Sequence, residues 1–138
     1  MTKLPNASAA YGALLMRTSL GVMWIAHAML KLLVFTLPGT AQFFDSIGIP
    51  GWLAYPVFTV ELAGGVALVL GVYARQVALA LVPVMLVAAS VHFPNGWVHT
   101  STGGGWEYPV FLVAASLALW LGDDGAFSAR RSSWLTLA

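Results

Sequence analysis

The sequence predicts an all-α integral membrane protein, a four-helix bundle with both termini cytoplasmic, and three observations carry that expectation. Hydrophobic residues make up 59% of the 138 positions and charged residues only 8%, against roughly 25% charged in ordinary soluble domains. Four apolar stretches approach the ~20 residues that cross a ~30 Å hydrocarbon core. Lys and Arg gather on one side of the resulting topology. The lipid bilayer is therefore the first partner. A formal net charge of +1 excludes nucleic acid, whose phosphates need a clustered basic surface. The chain has no cysteine, which excludes thiolate nucleophiles, disulfide relays, iron–sulfur clusters and thiolate zinc sites. Any redox chemistry must use a bound cofactor or a partner's.

The first helix is read at Tyr11 to Phe35. Lys3 precedes it and Ala26-His27-Ala28 mimics a small-x-small cleavage site, the mark of a signal peptide. Arg17 inside the would-be apolar region, and hydrophobicity running on to Phe35, make it a membrane helix instead. Thr36 to Gly51 holds Pro38, Gly39, Gly48, Pro50 and Gly51 and reads as an external loop with at most one helical turn around Gln42 to Ser46. The second helix runs from Trp52 to Val72 and joins the third, Gln76 to Phe93, through a tight connection at Gly71 to Arg75. Pro83 frees a carbonyl near Leu79 and is placed to kink the third helix. Pro94 to Gly105, rich in Gly, Ser, Thr and Asn, is a loop, and the fourth helix covers Trp106 to Gly122. Asp123-Asp124-Gly125 ends it. One domain then spans residues 1–128, with a short basic cytoplasmic tail at 129–138.

Lys3, Arg75, Arg130 and Arg131 all fall on one side, whereas the two long connections carry no Lys or Arg, so both termini are expected in the cytoplasm of a bacterial inner membrane. Counting inward from Phe35 and Trp52 at 1.5 Å per residue places His27 and Glu61 both roughly 12–14 Å deep, near the midplane. Lys31 lies one turn above His27 on the same face. His92 closes the third helix on the outer side and Glu107 opens the fourth there. Ionisable groups inside hydrocarbon mark function, so His27, Lys31, Glu61, His92 and Glu107 are the candidate lining of a polar cavity open to the outer leaflet, with Glu61, His27 and Lys31 as its chemical centre. About ten strongly apolar side chains of the first helix contribute roughly −0.3 to −0.6 kcal/mol each, while a central Lys or Arg costs about +2.5 to +3.5. Lys31 therefore needs a counter-ion, and Glu61 and Glu107 are the candidates. Arg17 is read as a structural charge that snorkels to the cytoplasmic face or pairs with Asp123. His99 is a loop residue without an assigned role.

Gly64-Gly65 lets another helix backbone come close, and exposed Gly-rich faces suit a homo-oligomer. Leu-Val-Ala-Ala-Ser occurs twice, at Leu86 to Ser90 and Leu112 to Ser116, as chance recurrence in an Ala/Leu-rich chain. Trp24, Trp52, Trp97, Trp106 and Tyr108 include interfacial anchors or the walls of an entry for a flat ring such as a quinone.

Arg17-x-x-x-Gly21, His27-x-x-x-Lys31, Phe43 ahead of Gly48-Ile49-Pro50, Glu61-x-x-Gly64-Gly65, Leu70-Gly71, Arg75, Glu107 and Gly122 form an ordered set that resembles the DoxX family of small bacterial membrane proteins, from about Arg17 to Ser128. The resemblance implies a four-helix inner-membrane bundle and an association with oxidoreductase systems, among them a subunit of thiosulfate:quinone oxidoreductase and assemblies that handle oxidative stress. Fold analogy alone does not assign a reaction. The residues leave three readings. One is a redox-linked subunit, working with a partner redox protein, that binds a quinone, with His27 or Lys31 on a carbonyl oxygen and Glu61 or Glu107 moving a proton. The others are a small-molecule or proton carrier and a non-catalytic assembly or scaffold subunit. A shared haem between His27 and His92 is disfavoured by their difference in depth of roughly 12 Å. A metal at His92 and Glu107 is the weaker metal reading.

Overall fold

A computed structural model of the chain describes residues 6–136. Lys3, counted above toward the orientation, and the last two residues of the tail lie outside them. Helix α1 spans Ala7–Met29, with Asn6 as its N-cap accepting from the Ser8 amide at 3.2 Å. The chain then widens into a single π-helical turn at Leu30–Val34, closed by the Phe35 amide on the Leu30 carbonyl at 2.9 Å. Helix α2 is Leu37–Ser46, and α3, entered through a 3₁₀ turn at Gly51–Leu53, is Ala54–Leu70. Helix α4 is Ala74–His92, followed by a 3₁₀ turn at Phe93–Asn95, and α5 is Glu107–Leu121. The described residues contain no strand, only an isolated backbone pairing of Val72 with Arg130.

The first connection departs from expectation. It is a ten-residue helix, not a loop with one turn. Its proline and glycine sit where a helix begins: Pro38 occupies the first turn, where a missing N–H costs nothing. Thr36 caps that turn with its hydroxyl on the Gly39 amide at 3.1 Å.

Among the described residues three helical segments are long and apolar enough to cross a membrane: Ala7–Val34 with 28 residues, Gly51–Leu70 with 20 and Ala74–Asn95 with 22. At 15 residues, α5 is shorter than expected; it rises only about 22 Å. The order of helices 1, 3, 4 and 5 follows the four predicted segments, with boundaries displaced by a few residues.

Helix α1 packs along α3 and α4 along α5. A Cβ on Gly21 would lie 2.7 Å from the Gly65 carbonyl oxygen, and one on Gly65 would lie 2.9 Å from that of Gly21, so two backbones touch where neither residue has a side chain. The core comprises Leu20 and Trp24 of α1, Leu68 of α3, Ala74, Ala78, Leu81 and Met85 of α4, and Leu112, Ala115 and Leu119 of α5. Leu15, Val22, Leu33, Val60, Leu86 and Phe111 are exposed. Apolar residues on both faces of a helix are what hydrocarbon surroundings allow. Pro83 is accommodated within α4, which remains one helix to His92.

Beyond α5 the chain folds back over the helix ends. The Ala126 amide donates to Ala10, Ala129 to Leu70, Arg130 to Gly71, and Tyr73 to Arg130. Residues of the expected tail are thereby stitched to the turn between α3 and α4.

Candidate functional site

Glu61 lies in the middle of α3 and is only 4% exposed. Facing it, Lys31 occupies the π-helical turn, and its Nζ lies 2.8 Å from Oε2 and 3.0 Å from Oε1 of Glu61. The two charges thus meet across the α1–α3 interface, Oε1 accepting a hydrogen bond and Oε2 in ion-pair contact without one of its own, and pairing is how ions persist in a low-dielectric interior. A π turn redirects side chains by inserting one extra residue per hydrogen-bonded ring. Here that distortion falls on the lysine.

His27, one turn earlier, turns Nδ1 to the Met23 carbonyl oxygen at 2.8 Å. Its ring stacks on Tyr108 of α5 with centroids 6.1 Å apart, and it lies within electrostatic reach of Glu61. The Tyr108 hydroxyl donates to the Met23 sulfur at 3.2 Å. Three of the five predicted residues, His27, Lys31 and Glu61, therefore share one neighbourhood.

The other two are separate from it. Glu107 does not serve Lys31: its Oε1 accepts from the His99 backbone amide at 2.8 Å and lies 2.7 Å from the His99 Nδ1. His92 directs Nδ1 to the Gly103 carbonyl oxygen at 3.1 Å and helps hold the loop at residues 96–106. Asn95 clamps the same loop through Gly103 and Gly104. A Cβ on Gly105 would strike the Val98 carbonyl oxygen at 2.1 Å, so only glycine lets the loop close on itself. Above it, Trp106 stacks on Phe93 with centroids 4.7 Å apart and meets Trp97 edge-on at 4.4 Å.

An open cleft of about 590 Å³ lies on this side, walled by Trp97, His99, Glu107, Tyr108, Val110, Phe111 and Ala114. Lys31, Glu61, His27 and His92 are not among its walls, so the expectation of five residues around one cavity is corrected. Helix α5 intervenes, and only Tyr108 belongs to both places. One residue of this arrangement, His99, carried no role in the sequence reading, and Tyr108 was read there only as an interfacial or entry-lining aromatic. The aromatic spacing pointed toward Tyr108; nothing local signalled His99, because its partner is eight positions away across a glycine-closed loop. Among the described residues no three His, Cys, Asp or Glu side chains converge to hold a metal ion.

Arg17 corrects a further expectation. It neither snorkels nor reaches Asp123: it is 1% exposed and donates to the carbonyls of Leu68 at 2.9 Å, Val69 at 2.6 Å and Ala126 at 2.8 Å. Those of Leu68 and Val69 lie in the last turn of α3, where carbonyls lack the regular helical donor and a cation is also favoured by the helix dipole; that of Leu68 accepts from the Gly71 amide as well, at 3.2 Å. Asp123 pairs instead with Arg131 at 3.3 Å.

The family model named DoxX matches residues 12–99, which take in Arg17, His27, Lys31, Glu61 and the α1–α3 contact that unites them. The chain belongs to the DoxX family. The match ends before α5, short of the span to Ser128 expected from the sequence. This DoxX protein is also 39% identical over 72 residues to "Putative oxidoreductase CatD" of Bacillus subtilis (strain 168), an alignment covering 52% of each chain. It thus spans about half the length of that curated relative. No solved structure is significantly similar to it.

Proposed function

We propose that the protein is a membrane subunit of a redox-linked system that takes up a quinone or a similar lipid-soluble ring from the outer leaflet. The observation that carries this reading is the Lys31–Glu61 ion pair, held in the apolar interior at 2.8 Å, with His27 one helical turn before Lys31. Buried charge of this kind marks proton or ligand chemistry in membrane helices. The aromatic cleft suits a flat ring, and Tyr108, a wall of that cleft, stacks on His27. When bound, a quinone supplies two-electron, two-proton chemistry. The chain's own part is to seat the ring against Tyr108 and Phe111, orient a ring oxygen, and hold or pass a proton through the His99–Glu107 pair, His27 and Glu61. Lys31 holds the Glu61 carboxylate in place. The relative's name as an oxidoreductase supports the redox class. An electron carrier must come from a partner redox protein.

The positive-inside rule supports a bacterial inner-membrane location with both termini cytoplasmic, because Arg75, Arg130 and Arg131 cluster at one end while the His99 loop occupies the other.

The test is purification in mild detergent, followed by ultraviolet–visible spectroscopy and mass spectrometry of extracted lipids. Stoichiometric quinone, lost in Tyr108→Ala and retained in a lipid-facing control such as Leu86→Ala, is the expected result. A protein that stays empty after reconstitution with quinone refutes it and leaves a proton or small-molecule carrier, or a scaffold.

A further inference from the structure

The segment after α5 combines three features that do not belong together in water. It lacks regular secondary structure yet is fastened tightly. Asp124, 3% exposed, accepts from the Ser132 amide at 2.9 Å and its hydroxyl at 2.5 Å. Arg17 holds the Ala126 carbonyl, Gln76 donates to that of Trp134, and the Trp120 indole donates to that of Leu135 at 2.7 Å. From this fixed backbone large apolar side chains project outward: Phe127 is 77% exposed, Trp134 58% and Leu135 60%. Phe127 and Leu135 both sit at positive φ, 54° and 51°. Phe127 meets the Tyr11 ring edge-on at 6.3 Å, but Tyr11 is itself exposed, so packing within the chain leaves both strained side chains largely facing out.

Charge is the third feature. Residues 126–136 carry Arg130 and Arg131 and no acid. Arg131 is partly neutralised by Asp123, whereas Arg130 is exposed and lies over the Tyr73 ring with Cζ 5.6 Å from the centroid. The segment covers the end of the molecule where α1 begins, α3 ends, α4 begins and α5 ends, which is the depth of the headgroups if those helices cross the bilayer.

We propose that this C-terminal strap is an interfacial docking site for an anionic phospholipid. Arg130, assisted by Arg131, takes the phosphate, while Phe127, Trp134 and Leu135 enter the boundary between headgroups and acyl chains. Cationic groups beside exposed aromatic and aliphatic groups complement a lipid that is negative above and apolar below. A purely aqueous anion would leave Phe127 and Leu135 facing water.

Native mass spectrometry of the full-length protein in mild detergent, titrated with phosphatidylglycerol and phosphatidylcholine of the same chains, tests the assignment. Wild type is expected to retain phosphatidylglycerol preferentially. Each arginine near an anionic surface is worth about fivefold in affinity, so Arg130→Gln with Arg131→Gln lowers that preference up to about 25-fold, with Asp123 reducing the share of Arg131. The backbone ties of Arg130 survive the change. If that variant loses helix content by circular dichroism, Arg130→Lys with Arg131→Lys must keep the preference, and salt must abolish it in wild type. Equal retention of the two lipids, or a preference that survives removal of both arginines, overturns the proposal. So does displacement of the lipid by glycerol phosphate at comparable concentration, which identifies a free-phosphate site.

Discussion

Removing Lys31 while leaving Glu61 is the most informative perturbation of the protein. The Glu61 side chain is 6% exposed and both its oxygens lie within 3.0 Å of one ammonium, whose side chain is 17% exposed. Lys31→Met strands the carboxylate, and one-sided loss of a buried pair costs about 3–5 kcal/mol. Glu61→Leu strands the lysine instead. Its long stem has a route toward the outer headgroups, so the loss is smaller and bounded by the ~2.5–3.5 kcal/mol of a central lysine. Doing both replaces an ion pair with packed hydrocarbon, and the double variant is expected within about 1 kcal/mol of wild type or above it. Reversible unfolding in mixtures of mild detergent and dodecyl sulfate, followed by circular dichroism, measures all three. The decisive quantity is the non-additivity, expected at no less than about 2 kcal/mol. Lys31→Met costing under about 1 kcal/mol, with additive singles, would refute the reasoning that this pair is desolvated and mutually dependent. The stable double variant then isolates function from folding: it is expected to lose quinone while keeping its fold.

Three further outcomes are expected. Arg17→Ala removes a donor from three carbonyls, of which Leu68 keeps the Gly71 amide, and should destabilise by about 1–3 kcal/mol for each carbonyl left unsatisfied; limited proteolysis should then cut the strap near Ala126, with Arg17→Lys intermediate. Gly21→Ala pushes a methyl into the Gly65 carbonyl at 2.7 Å, whereas Gly64→Ala meets only the flexible tip of Leu81 at 2.9 Å. The first should cost about 1–3 kcal/mol in the same unfolding assay and the second clearly less; equal effects would argue against close α1–α3 contact. Because the chain has no cysteine, Thr100→Cys and Ser133→Cys report orientation directly. A membrane-impermeant maleimide is expected to label the first in intact spheroplasts and the second only after lysis, and the reverse pattern would invert the proposed topology.

Helix existence was legible from composition because hydrocarbon selects long apolar runs regardless of what they pack against. Connections were less so. Pro38 and Gly39 read as loop signals but open α2, since a proline in a first turn lacks nothing the helix needs. Depth counting at 1.5 Å per residue brought His27 and Glu61 to a common level with Lys31 one turn above on the face of His27, which is why their convergence was foreseeable. Depth does not fix azimuth, however. Glu107 was expected to face Lys31, yet it starts α5 on the loop side and meets His99. The same blindness misassigned Arg17, whose partners are backbone carbonyls, groups that every residue carries and no composition distinguishes.

By itself the sequence determined that this chain carries helices apolar and long enough to cross a bilayer, that they follow one another in the observed order, and that a few ionisable side chains interrupt them. Those properties follow from hydrophobicity and rise per residue, both local. Only the tertiary structure decided which charges satisfy one another. A π turn aims Lys31 at Glu61, Gly21 and Gly65 let α1 and α3 close to contact, and glycine-permitted loop closure sets His99 on Glu107. Each depends on rotation about a helix axis and on the approach of distant backbones, which the packing of the whole chain sets.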